Sequence, residues 1–96
     1  MALAVRFRPE AEAEAIDIRD WYERRRTGLG KEFTAALADI LQRIAERPLL
    51  FRRAHNEIRR AVLARFPYAV YFRVHGSEII VLAVHGRQDP ARWQSR

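Results

Sequence analysis

The chain has 96 residues and a formal net charge of +6, with 49% hydrophobic residues and no cysteine. That length supports one core burying about 60% or slightly more of the unfolded surface, and the missing cysteines exclude disulfides and thiolate metal sites. No apolar run approaches the roughly 20 residues of a membrane span, and MALAVRFRPEAEAE lacks the apolar stretch of a signal peptide, so a single cytoplasmic domain over residues 1–96, with no membrane contact, is expected.

The charge is unevenly placed. Residues 1–51 balance nine basic against nine acidic side chains, whereas 52–96 hold nine arginines against Glu57, Glu78 and Asp89. Of the basic residues only Lys31 is not arginine, and the flat guanidinium fork suits phosphate and carboxylate equally. Two partner classes follow, a nucleic acid or an acidic protein.

In chain order, Leu3, Val5 and Phe7 alternate with Ala4, Arg6 and Arg8, the period of a short strand, which Pro9 ends. Pro9 suits a first helical position. Glu10, Glu12 and Glu14 follow at the positive end of the helix dipole, and Arg24 to Arg26 stand at the negative end, so a helix over about 9–26 is predicted. Its inward stripe is Ala11, Ala15, Ile18 and Tyr22. Gly28-Leu29-Gly30 leaves a tight link to a second helix over about 29–47, with Phe33, Leu37, Ile40 and Ile44 as its apolar face and Pro48 as its stop. The segment 49–56 reads as an irregular surface loop that Leu50 or Phe51 pins to the core.

From Ile58 onward the chain reads as three antiparallel strands. Pro67 closes the first hairpin because it has no amide hydrogen for a ladder, and Gly76 supplies the positive φ of a two-residue turn in the second. Ile79 to Val84 is apolar without a break, as a central strand covered on both faces would be. The predicted fold is therefore α+β, in the order β-α-α-β-β-β, with an antiparallel meander and a two-helix hairpin on one face. Two helices cover one side only, so part of the other side, with Tyr68, Tyr71, Phe72 and Trp93 nearby, is expected to be apolar and to need cover from a partner segment.

The element order, together with GLGKEF, IRRAVLARFPYAVYF and VHGRQDPARWQSR, resembles the RelE/ParE toxins of bacterial type II toxin-antitoxin pairs over essentially the whole chain. The Arg65-Phe66-Pro67-Tyr68 turn and the ending with His85, Arg87, Pro90 and Trp93 are closer to the ParE, or plasmid-stabilisation, branch. The resemblance implies a growth-inhibiting protein neutralised in a hetero-oligomer by an antitoxin whose C-terminal segment wraps it. ParE-like members are associated with inhibition of DNA gyrase; RelE-like members cleave mRNA on the ribosome.

Metal-independent RNA cleavage needs an acid/base pair among cations. Here Arg59, Arg60, Arg65, Arg73 and Arg87 could supply the charge, with His85, Glu57 and Tyr71 as the groups suited to proton transfer. Strict alternation places His85 and Arg87 on one face with Ile79, Val81 and Ala83, and Val84 and Gly86 on the other. His85 is then either a structural strand-end imidazole or half of an active-site pair. RelE-type enzymes usually carry several lysines near the sheet and a tyrosine or histidine near the C-terminus, which this chain lacks. A non-catalytic gyrase inhibitor is therefore the favoured expectation, with ribosome-dependent cleavage as the alternative, and no cofactor or metal is expected. In the binding reading the partner-facing residues are Arg59, Arg60, Arg65, Tyr68, Tyr71, Arg73, His85, Arg87 and Trp93; Trp93 could equally anchor the tail.

Overall fold

The computed structural model describes residues 2–86, so the expectations for Arg87 and Trp93 lie outside the described residues. Strand β1 (Ala4–Phe7) leads into helices α1 (Pro9–Arg25) and α2 (Leu29–Glu46). A 3-10 turn (Pro48–Leu50) follows, then β2 (Arg53–His55), β3 (Ile58–Val62), β4 (Tyr68–His75) and β5 (Glu78–Gly86). The α+β class, the helix hairpin and the closing meander are as the sequence predicts.

Two features of the sheet differ from expectation. It has five strands among the described residues, in the order β1-β5-β4-β3-β2, and it is mixed, because β1 pairs parallel with β5. The first half of the chain crosses over the sheet through both helices before returning, which a parallel neighbour requires. The added strand, β2, lies in the segment read as irregular. Its three residues are all exposed, so no alternation of polarity marks it.

The hairpin between the helices is fastened by one carboxylate. Glu23 accepts from the amide of Gly28 at 2.9 Å through Oε2 and from that of Gly30 at 3.0 Å through Oε1. These are amides at the start of α2, which have no partner within the helix. Gly28 has φ +91°, and a Cβ on Gly30 would lie 2.7 Å from the carbonyl oxygen of Arg19. The Gly-Leu-Gly link thus serves one backbone conformation and one close approach.

Both predicted helix stripes meet the same face of the sheet. Ala11 of α1 and Phe33, Leu37, Ile40 and Ile44 of α2 pack with Ala61, Val70, Phe72, Ile79, Val81 and Val84, and Phe51 joins from the loop. On the opposite face Ala69, Tyr71 and Ala83 form a smaller cluster with Ile58.

A bulge in β5 corrects the predicted alternation. Tyr71 is opposite Ala83 whereas Phe72 is opposite Val81, so Leu82 is an extra residue. One inserted residue reverses the facing of all that follow. Ile79 and Val81 therefore share the helix face with Val84, while Ala83 and His85 turn to the other side.

Candidate functional site

The two adjacent arginines of β3 face opposite sides of the sheet, as expected, since Arg59 pairs with Phe72 and Arg60 with Tyr71. Their roles differ. Arg59 donates from Nη1 to the carbonyl oxygen of Phe51 at 2.7 Å and so ties the loop after the 3-10 turn to the sheet. This bond uses one of the five guanidinium N–H groups. Arg60 is half-buried, and its Nε is buried without a hydrogen-bond partner. Arg73, also half-buried, shares that face, opposite Ile80.

The groups suited to proton transfer do not form an accessible pair. Tyr71 is 1% exposed, at the centre of the small cluster. Glu57 stands on the exposed turn between β2 and β3, where Asn56 adopts φ +50°. His85 is 4% exposed, with Nε2 3.1 Å from Oε2 of Glu14. The ring is offset from a well-aligned hydrogen bond, so the contact is an ion pair when the imidazole is protonated. The other oxygen of Glu14 accepts from the amide of Val84 at 3.1 Å. That acceptor is needed because β1 stops at Phe7, opposite Val81, and among the described residues no strand continues along that edge of β5. Sequence reasoning assigned Glu14 only to the helix dipole; nothing in its spacing announces a partner on the last strand. A groove of about 270 Å3 lies beside this pair, lined by Glu14, Asp17, Tyr68, His85 and others.

The expectation of a bare apolar sheet face is not met. In the chain as it stands Ile80 is 4% exposed, Tyr71 1%, and Ala69 and Ala83 0%. Two of these positions are alanines, which pack with Tyr71 and Ile58. The most exposed large apolar side chains among the described residues lie elsewhere, on the 3-10 turn, where Leu49 and Leu50 are 69% and 73% exposed. Leu50, Phe51 and Ala2 line a groove of about 600 Å3 together with Arg43, Arg47 and Glu46 at the end of α2. Two leucines directly after a helix-stopping proline are the sequence signal for this surface. Phe51, the other residue expected to pin the loop, does so: its ring meets Phe72 edge-on at 6.0 Å.

The Arg65–Tyr68 turn is the third feature. Arg65 has φ +68°, a left-handed conformation that costs a branched or long side chain about 1–2 kcal/mol. Behind it the rings of Tyr22, Phe33, Phe66 and Tyr68 pack with centroids 5.0–6.2 Å apart. Burial, and secondarily the neighbouring Tyr68, raise the pKa of the Tyr22 phenol above its ordinary 10.0. Among the described residues no group of three or more His, Asp or Glu side chains is placed to hold a metal ion. No helix among them is long and apolar enough to cross a membrane.

The sequence profile described as "ParE toxin of type II toxin-antitoxin system, parDE" matches residues 5–90. The chain belongs to this ParE toxin family. Among solved structures, this ParE family member is similar to a chain of the "Chromosomal ParDE TA system from P. aeruginosa", with a TM-score of 0.77 at 18% identity. The match covers 88% of this chain and 96% of that one, and at such identity it establishes a shared fold. No curated protein matches it in sequence. Family membership makes it a toxin of the type II class and agrees with the element order and the Arg65–Tyr68 turn.

Proposed function

We propose that this ParE family member arrests growth by binding DNA gyrase, without catalysis of its own, and that a cognate antitoxin neutralises it in a cytoplasmic hetero-oligomer. The observation that carries a binding role is the burial of the proton-transfer groups: His85 is held against Glu14 and Tyr71 is enclosed by the sheet. A general base must come within about 3 Å of the ribose hydroxyl it deprotonates. A 4% exposed imidazole against a half-buried carboxylate offers little room for that.

For the antitoxin, the groove at the end of α2 is the favoured docking surface. Leu49 and Leu50 present apolar area, and Arg43 and Arg47 beside them favour a segment whose apolar face is flanked by carboxylates. The basic face with the half-buried Arg60 and Arg73 is a second contact for an acidic chain.

Gyrase supercoiling and ribosome-programmed mRNA cleavage, each run with and without the antitoxin, test the proposal. Inhibited supercoiling that the antitoxin relieves is the expected result. Ribosome-dependent cleavage that disappears in His85→Ala would establish the RelE-like alternative instead.

A further inference from the structure

The end of the molecule where α1 meets α2 is not used by the reading above, and its side chains form one connected cluster. Arg26 Nη2 lies 3.2 Å from Oε2 of Glu32, and Arg65 Nη1 lies 3.9 Å from Oε1 of the same carboxylate. One acid thus sits between two guanidinium groups from different elements. Arg25 is stacked over Trp21, with its guanidinium carbon 4.2 Å from the ring centroid, and Trp21 meets Tyr22 edge-on at 5.1 Å. Arg24 and Lys31 are exposed on the adjoining turns of the two helices. The other nearby acids are engaged: Glu23 caps the Gly28 and Gly30 amides, and Asp20 is paired with Arg19 at 3.0 Å. Of the five cations only Arg26 and Arg65 are paired with a carboxylate among the described residues, and they share it.

A helix dipole accounts for Arg24 and Arg25, which occupy the last turn of α1. It does not account for Arg65, which belongs to the β3–β4 turn and is held at φ +68° with its side chain 69% exposed. Strained backbone that displays a charge to solvent points to a contact made there.

We propose that this end is a docking surface for the phosphate backbone of duplex nucleic acid. Arginine forks from the end of α1 and from the β3–β4 turn, Arg26 and Arg65 held by Glu32 and Arg25 by the indole, suit phosphate groups. Single-strand recognition would need free aromatic faces for bases, and one face of Trp21 is already taken by Arg25. An acidic protein would meet the same charge and is the competing outcome of the test. The proposal stands on this cluster alone and does not require gyrase to be the target.

Fluorescence anisotropy of the full chain with a labelled 20-base-pair DNA duplex tests it. If about three phosphates are neutralised, affinity falls about 40-fold between 50 and 200 mM salt. Arg65→Gly and Arg25→Gln should each lower the log–log salt slope by about one, while Arg43→Gln with Arg47→Gln, at the far end of α2, leaves it unchanged. Arg65→Gly relieves the left-handed backbone, so its fold, followed by circular dichroism, survives the change. Absence of duplex binding at 50 mM salt, an unaltered slope in Arg65→Gly and Arg25→Gln, or an equal loss in the Arg43/Arg47 control would each overturn the proposal. So would equal or tighter binding of a single strand or of a polyglutamate peptide. Supercoiling inhibition is scored separately, so loss of the gyrase reading and loss of this one are distinguishable.

Discussion

Glu14, in the second turn of α1, and His85, near the end of β5, meet at 3.1 Å, and the same carboxylate receives the Val84 amide. One side chain therefore completes the sheet edge where β1 ends and fixes the histidine that a nuclease would need free. Glu14→Ala removes both contacts from a largely buried site and should cost about 2–3 kcal/mol in urea unfolding. Glu14→Gln keeps an oxygen for Val84 and should cost less. Equal stability of Glu14→Ala and wild type would remove the structural role.

Gly30 has no room for a methyl group, with the Arg19 carbonyl 2.7 Å from the position its Cβ would take. Gly30→Ala should be destabilising by about 1–3 kcal/mol through forced separation of the two helices. Gly76, with nothing near an added Cβ but φ +60°, should lose about 1 kcal/mol on substitution by alanine, from backbone strain alone. Denaturant midpoints for the two variants check the ranking.

Arg65→Gly should raise stability, by up to about 1 kcal/mol, because the left-handed penalty disappears and the ion pair lost is exposed and 3.9 Å long. A fall in the unfolding midpoint would show that the Glu32 contact outweighs the backbone term.

The raised pKa of Tyr22 has a defined sign in stability. The folded state holds the phenolic proton more tightly than the unfolded chain, so this contribution is complete below the ordinary pKa of 10.0 and is lost as pH rises through the folded value. Tyr22→Phe should remove that part of the alkaline slope. An ultraviolet phenolate titration of wild type should contain a component ionising above the ordinary value that disappears in Tyr22→Phe.

Leu49 and Leu50 are exposed and lie outside the core, so Leu49→Ser with Leu50→Ser should leave the unfolding midpoint within about 0.5 kcal/mol of wild type. The same pair of changes should weaken antitoxin binding by tenfold or more, measured by calorimetry. Unchanged affinity would place the antitoxin elsewhere.

Local pattern by itself determined both helices, the meander and its turns. Prolines, glycines and a repeat of apolar residues act through bonds and sterics within a few positions, so they are written in adjacent letters. The opposite facing of Arg59 and Arg60 followed from the same period of two. Tertiary structure alone decided the parallel pairing of β1 with β5, because hydrogen bonds between distant strands leave no mark on the spacing of either. It also decided the fate of His85. The extra residue Leu82 shifted the register by one, and a carboxylate from the first helix was drawn to an amide that the short first strand could not reach. Polar groups that must be satisfied on burial find their partners through space, and the order of the letters records only that such groups exist.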